Sequence, residues 1–343
     1  MTDIPPRLRS KSLALLSVIA LSLAVTSCSP PSTSTPGQEG LRVVSLPATA
    51  YNSAIGYLPV AVADDMGYFA EEGIDLQPVP VGGGGESVRA FVADRAAVLG
   101  SVGFLSALPA IDQGDGFRIF GQLSQQQDTW IAVRADSAIA RPQDLKGRKL
   151  GVTRPGSSLE AVAQNFMQDE KLTPEDVEIA YLGAVPDLIV ALQEGVVDAI
   201  AGNGYLTITQ HVDVDNDWRQ FGEVGQYSPG VDAVYVAKGD DDEADELVQA
   251  FKRAHDKAAA YITENSTSER LLEILRTWSG SSDPGLDPTY RQALANLATR
   301  GDGFFADVSP NLASFGKAAQ EGVRHGALES APQDWTNYTW SAR

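Results

Sequence analysis

The chain has 343 residues, of which 43% are hydrophobic and 21% are charged, and its formal net charge is −19 at pH 7. This length is enough for two domains with hydrophobic cores, at about 150 residues per domain. The strong negative charge argues against nucleic acid as a partner and against docking by charge on an anionic lipid surface. Because the chain contains one cysteine, an internal disulfide and a cluster of thiolate metal ligands are excluded.

The N-terminal segment has the order of a secretory signal. Three basic residues precede an apolar run at 13–25, and small residues follow it. Export machinery recognises this order, and the apolar run is too short to cross a bilayer as a stable helix. The basic residues are Arg7, Arg9 and Lys11. We therefore expect residues 1–27 to be a signal peptide that is removed from the mature chain, whose net charge becomes −21.

The end of this signal predicts a lipid anchor. Val25-Thr26-Ser27-Cys28 resembles the bacterial lipobox, in which cleavage occurs before the cysteine and the new N-terminal residue carries lipid. We expect Cys28 to attach the protein to the cell membrane, facing away from the cytoplasm. Residues 28–40 would be a flexible tether, because their Pro, Ser, Thr and Gly offer little surface to bury. The alternative is an ordinary secreted protein with a stray cysteine at the cleavage site.

From residue 41 onwards, short β-branched runs alternate with longer mixed runs. This alternation predicts βα units and parallel sheets covered by helices. In the first part of the chain, strands are predicted at 41–46, 75–81, 97–100, 118–121 and 130–133, with helices before Phe69 and at 88–91 and 105–112. A second βα series has predicted strands at 149–153, 177–182 and 199–201 and helices at 158–170 and 186–194.

After the strand-like run 231–236 the pattern becomes helical. Apolar residues recur every three or four positions between Ala244 and Ile262, which predicts an amphipathic helix. The acidic run 240–243 lies where that helix begins and would interact favourably with its dipole. Further helices are predicted at 268–278, 288–299 and 309–325. Because these helices have no strands of their own to cover, we expect them to pack on a first lobe formed by the first series of βα units.

Three segments resemble one protein family in their order and spacing. The segments are Tyr57-Leu58-Pro59 through Met66-Gly67-Tyr68-Phe69 to Glu72-Gly73-Ile74-Asp75, then Asp144-Leu145-Lys146-Gly147-Arg148-Lys149-Leu150-Gly151-Val152, and Ala191-Leu192-Gln193-Glu194-Gly195-Val196-Val197-Asp198-Ala199. In this order they resemble the periplasmic or lipid-anchored substrate-binding proteins of nitrate, sulfonate and taurine ABC importers.

This resemblance implies an α/β, two-lobed periplasmic binding protein fold of type II, with parallel-rich sheets flanked by helices and a ligand cleft between the lobes. The expected lobes are 41–134 together with 231–343, and 135–230. The implied function is a monomeric solute receptor that delivers a small anion of the sulfonate, taurine or nitrate type to a membrane permease, with ATP hydrolysed by a separate subunit. No enzymatic activity and no cofactor are expected.

Ligand contacts are expected on loops that follow strands, because ligands of open α/β sheets bind beyond the carboxyl ends of the strands. Ser157 and Ser158 lie at a helix N-terminus, where hydroxyl and amide donors favour an anion; a plain helix cap is the alternative. Buried aromatic residues more often belong to the hydrophobic core than line a ligand site. The glycine run at 82–85 could equally be a plain loop. The candidate ligand-binding residues are Tyr51, Asn52, Gly84, Ser101, Gly156, Ser157, Ser158, Asn203, Tyr205 and Asp232.

Other functions have weaker support in the sequence. A thiamine-related pyrimidine or another aromatic heterocycle is the alternative ligand, with Tyr51 and Tyr205 as walls and Asp128, Asp187 and Asp232 as acceptors. Pyrimidine-synthase enzymes of the same fold use a cysteine-rich motif, which one cysteine cannot supply. No metal site is expected, because the three histidines share no close spacing and the calcium-loop pattern that begins at Asp213 lacks its glycine and closing glutamate.

Overall fold

A computed structural model provides the structure of the protein. It describes residues 41–49, 55–81, 84–123, 128–155, 157–183, 185–228, 230–231, 233–279, 284–299, 305, 308–324 and 326–341. Among these residues, no helix combines the length and the apolar composition that crossing a membrane requires.

Among the described residues, ten strands form three sheets, which confirms the predicted α/β class. The strands are β1 (Arg42–Thr49), β2 (Ile74–Val81), β3 (Leu99–Gly103), β4 (Phe117–Gln122), β5 (Thr129–Arg134), β6 (Arg148–Val152), β7 (Val177–Tyr181), β8 (Ala199–Asn203), β9 (Trp218–Phe221) and β10 (Ala233–Lys238). One sheet pairs β1 and β2 in parallel, the second has the order β3-β10-β4, and the third has the order β7-β6-β8-β5-β9.

Helices cover these sheets. They are α1 (Leu58–Asp65), α2 (Tyr68–Glu71), α3 (Gly84–Ala93), α4 (Phe104–Asp112), α5 (Ser158–Asp169), α6 (Val185–Gln193), α7 (Tyr205–Ile208), α8 (Asp242–Glu264), α9 (Glu269–Ser279), α10 (Asp287–Thr299) and α11 (Leu312–Arg324), and a π-helix (Thr209–Val214) continues α7. The helix predicted at 88–91 begins earlier than predicted, because α3 starts at Gly84, within the glycine run.

Strand direction brings loops of both larger sheets to their carboxyl edges. β3 and β4 are each antiparallel to β10, so they run parallel to one another. In the five-stranded sheet, β6, β7 and β8 are parallel, and β5 is antiparallel to β8. β5 therefore begins at the edge where its parallel neighbours end, and β10 begins at the edge where β3 and β4 end.

Two segments connect these carboxyl edges and are called the crossing segments here. One is 123–128, between β4 and β5, and the other is 222–232, between β9 and β10. A chain of the first length spans at most roughly 25 Å. The carboxyl edges of the two larger sheets are therefore held close to one another.

The long amphipathic helix forms as predicted and packs on the first part of the chain. Phe251 of α8 lies 5.4 Å from both Phe69 and Phe120, measured between ring centroids. The acidic run lies at the start of this helix, as predicted, and Asp241 caps it, because its carboxylate accepts a 2.9 Å hydrogen bond from the Ala244 backbone N–H.

The helix α10 differs from the sequence-based expectation, because it also packs against the π-helix that follows β8. The Thr289 hydroxyl donates to Gln210 Oε1, and Asn296 Nδ2 donates to Asp213 Oδ2 at 2.7 Å. Polar contacts between residues so distant in sequence do not affect hydrophobic periodicity. Sequence patterns therefore placed α10 on the first lobe alone.

The C-terminal segment covers the edge of the three-stranded sheet at β4. The Ile119 backbone N–H donates to the Tyr338 carbonyl, and the Trp340 N–H donates to the Ile119 carbonyl, each at 2.8 Å. Trp335 packs on Phe104 and Phe315 at centroid distances of 6.1 and 5.5 Å. An open strand edge invites pairing with another chain, and this segment satisfies the edge at Ile119.

Two glycines give a test of how tightly the five-stranded sheet is packed. A Cβ on Gly202 of β8 would lie 2.2 Å from the Trp130 ring of β5, whereas a Cβ on Gly316 of α11 would meet no atom within 4 Å. We predict that Gly202→Ala lowers the free energy of unfolding by roughly 1–3 kcal/mol, the cost of overpacking. Gly316→Ala should raise it by up to about 1 kcal/mol through helix propensity. Urea unfolding measures both, and equal effects would contradict the packing.

Candidate ligand-binding site

Loops with polar side chains meet at the carboxyl edge of the five-stranded sheet. Thr153 follows β6, Gly183 follows β7, and Asn203 ends β8. Asp128 lies at the same edge, because Thr129 of β5 pairs with Asn203. In open α/β sheets this edge is where ligands bind, so these loops form the candidate site.

The N-terminus of α5 is built around Ser157. Its Oγ accepts a 3.2 Å hydrogen bond from the Glu160 backbone N–H, as a helix cap does, and the Thr153 hydroxyl donates to the same oxygen at 3.0 Å. Ser158 is the first residue of the helix and is exposed, as is Arg154. The capping role considered for Ser157 is therefore present, and its contact with a ligand stays a prediction.

The role of Thr153 was missed by the sequence analysis, although its position directly after a strand was a usable signal. It connects the end of β6 to the cap of α5. Tyr181, at the end of β7, is a second missed residue: its hydroxyl donates to Glu160 Oε1 at 2.5 Å. This hydrogen bond raises the pKa of Tyr181 above its ordinary value. The two contacts fix the first turn of α5 against β6 and β7.

The turn between β8 and α7 is fixed by hydrogen bonds to its backbone. Gly204 has a φ of 103°, which L side chains rarely adopt. Its carbonyl accepts from Trp130 Nε1 at 3.3 Å, and its N–H donates to the Asp128 carbonyl at 3.2 Å. Asn203 is exposed, whereas the ring of Tyr205 is buried with 4% exposure. Among the predicted residues of this turn, Asn203 thus offers the accessible side chain.

Asp128 is a partly buried carboxylate at this turn. Its Oδ2 accepts a 3.2 Å hydrogen bond from the Tyr205 backbone N–H. Burial raises the pKa of Asp128, and hydrogen bonds from backbone N–H groups oppose that rise. A carboxylate in such surroundings is costly to ionise unless a cation or further donors compensate it.

On the first sheets, the predicted residue Ser101 lies in the core. It is fully buried in β3, and its Oγ is 2.7 Å from the Tyr57 hydroxyl. Tyr57 in turn packs edge-on against Tyr235 at a centroid distance of 6.5 Å. Gly84 lies at the first position of α3, beyond the carboxyl end of β2. The structure therefore gives Ser101 a structural partner and places Gly84 in a helix, and a ligand contact of either residue stays a prediction.

The remaining predicted residues lie outside the described part of the chain. They are Cys28, Tyr51, Asn52, Gly156 and Asp232.

A histidine and two aspartates approach one another after the π-helix. His211 Nδ1 is 2.9 Å from Asp217 Oδ1, and with Asp215 these residues offer three ligand atoms within 4.8 Å of one another. Sequence spacing did not reveal this pairing. Asp215 also accepts from Gln210 Nε2 at 2.7 Å, and the His211 ring stacks on Trp218 at 3.8 Å. These contacts fix the acidic segment between the π-helix and β9.

Solved structures of other proteins share this architecture. The periplasmic aliphatic sulphonate binding protein SsuA from Escherichia coli aligns with a TM-score of 0.64 at 17% identity, covering 88% of this chain and 92% of SsuA. The Candida albicans protein CA3427, described as having the generic periplasmic binding protein fold, aligns with a TM-score of 0.59 at 14% identity over 88% of this chain and 97% of its own. The predicted fold is confirmed: the chain has the periplasmic binding protein fold.

The family follows from the sequence. A model described as NMT1/THI5 like matches residues 55–268, more than half of the chain, so the protein belongs to the NMT1/THI5-like family. A curated protein, YtlA of Bacillus subtilis (strain 168), is 26% identical over 129 residues. That match spans 37% of this chain and 38% of YtlA.

The cap of α5 can be tested by stability. We predict that Ser157→Ala lowers the free energy of unfolding by about 1 kcal/mol, because the Glu160 N–H loses its acceptor. Ser158→Ala, at an exposed first helical position, should change it by less than about 0.5 kcal/mol. Urea unfolding of both variants measures the difference. Equal losses would contradict a specific capping role for Ser157.

Proposed function

We propose that this protein is the solute-binding receptor of an ABC importer and captures a small anion of the sulfonate type. The observation that carries the proposal is the pair of carboxyl edges joined by two crossing segments, with polar loops at the five-stranded edge. Similarity to the aliphatic sulphonate binding protein SsuA supports both the receptor class and the ligand class. Taurine and nitrate belong to the same ligand group, and the receptor catalyses no reaction.

In the proposed mechanism, the crossing segments separate the two lobes, 41–122 with 233–343 and 129–221. The boundary predicted after residue 134 moves to the first crossing segment, because β5 (Thr129–Arg134) pairs with β8 and β9 in the five-stranded sheet. The lobes close on the solute by rotation about the crossing segments, and contacts made only in the closed state offset the cost of closure. The α5 N-terminus supplies donors to the anion, since N–H groups and the helix dipole favour negative charge there. The closed receptor, a monomer, then docks on a membrane permease whose ATPase is a separate subunit.

A panel of solutes tests the ligand class. We predict that the purified protein melts at a higher temperature with alkyl sulfonates, taurine or nitrate, because a ligand that binds only the folded state stabilises it by about 2.7 kcal/mol at a hundredfold excess over Kd. Differential scanning calorimetry measures the midpoint. Bicarbonate and thiamine-pathway pyrimidines complete the panel.

Each result of the panel has a distinct meaning. A shift with pyrimidines alone would replace the sulfonate proposal by a proposed receptor for a heterocycle.

If a sulfonate binds, Ser157→Ala combined with Ser158→Ala should weaken its binding by roughly 1–3 kcal/mol, the scale of hydrogen bonds to a charge. Unchanged affinity would remove the α5 N-terminus from the site while leaving the receptor class in place.

We also propose that Cys28 carries lipid and holds the receptor on the outer face of the cell membrane. Cys28→Ser in the full-length chain is then expected to move the protein from the membrane fraction to the soluble fraction, since the proposed anchor is lost. Fractionation followed by immunoblotting measures this. The matched control is Ser29→Ala, which leaves the cysteine intact. Continued membrane association of Cys28→Ser would contradict the lipid anchor.

A further inference from the structure

Asp128 occupies a fixed position at the proposed site. It is the last residue of the first crossing segment, and β5 begins immediately after it. Its backbone carbonyl accepts from the Gly204 N–H, and its Oδ2 accepts from the Tyr205 N–H, both at 3.2 Å. These two contacts hold the carboxylate beyond the carboxyl end of β8. Because the residue is only partly buried, part of it stays accessible at that edge.

The charge of Asp128 lacks a compensating cation within the described residues. Other acids of the same sheet have one: Asp136 is 3.0 Å from Arg134, and Asp198 is 3.4 Å from Arg148. For Asp128, burial dominates over the backbone hydrogen bonds and raises its pKa. A partly buried carboxylate without a cation beside it gains most from a partner that brings positive charge or N–H donors.

We propose that Asp128 accepts a hydrogen bond from an N–H group of the solute and selects solutes that carry such a group. This inference rests on the proposed function and narrows its ligand class. Two kinds of solute share the chemistry: an aminoalkanesulfonate, through its ammonium group, and an aminopyrimidine, through its ring amino group.

The position of Asp128 relative to α5 favours a small, two-ended solute. β6, which leads to the α5 N-terminus, and β5, which follows Asp128, are separated by β8 alone. Two strand spacings amount to about 10 Å. A small solute with two polar ends is therefore of the size that reaches from one strand end to the other.

Paired solutes isolate the role of the N–H group. Isothermal titration calorimetry on the full-length protein in detergent would compare 2-aminoethanesulfonate with propane-1-sulfonate, and a 4-aminopyrimidine with its 4-methyl analogue, so that a methyl group replaces the amino group in each pair. We expect the amino member of one pair to bind roughly ten- to a hundredfold more tightly, the range of a charge-assisted hydrogen bond. Asp128→Asn should remove most of this preference, mainly by weakening the binding of the amino member.

Asp136→Asn is the matched control, because Asp136 follows β5 at the opposite edge of the sheet. It should leave the preference unchanged. The ligand-free melting temperature separates a binding role from a structural one. Asp128→Asn should melt at the same temperature as the unmodified protein or higher, because the amide removes a buried charge while its oxygen still accepts from the Tyr205 N–H.

Three outcomes would overturn the inference. One is equal affinity for both members of each pair, and another is a preference that survives Asp128→Asn. The third is a fall of several degrees in the melting temperature of Asp128→Asn and of a second variant, Asp128→Ser, which would mark a structural role. If sulfonates bind in any of these cases, the receptor function stands without the role of Asp128. If no solute of either pair or of the panel binds, the proposed ligand class fails as well.

Discussion

The two crossing segments are the constraint on which the arrangement of the candidate site depends. Each leaves or enters a sheet at the carboxyl ends of parallel strands, so strand polarity and connectivity together bring those ends towards one another. Had β5 been parallel to β8, its first residue would lie at the opposite edge, and Asp128 would be far from Asn203. The antiparallel entry of β5 therefore decides which loops can contact one ligand.

Local sequence patterns were sufficient to predict most elements of this fold. The strand predicted at 149–153 is β6, Arg148–Val152, and the helix predicted between Ala244 and Ile262 lies within α8. These elements are fixed by β-branched runs and apolar periodicity, which are local properties. The pairing of β10 between β3 and β4 and the contact of Ile119 with the C-terminal segment involve residues far apart in the chain. No local pattern specifies such partners.

The candidate site was predicted less well for the same reason. Ser157 could be assigned to a helix terminus, because capping needs only a polar residue before an amphipathic run. The burial of Ser101 could not be predicted, since its hydroxyl is satisfied by the hydroxyl of Tyr57, which lies 44 residues earlier in the chain. Likewise, the contact that fixes Asp128 comes from the backbone of Tyr205, and a backbone N–H carries no sequence signature.

Charge at two length scales explains how a strongly acidic protein can hold the proposed anion. Surface charges are screened beyond roughly 8 Å at physiological ionic strength, so the net charge of −19 governs solubility more than it governs a cleft. In the proposed cleft, donors at the α5 N-terminus would act at contact distance on one end of a solute. Asp128 would act with little screening on the other end, because it is partly buried. A simple anion would leave that carboxylate uncompensated, whereas a solute with an anionic end and an N–H end satisfies both.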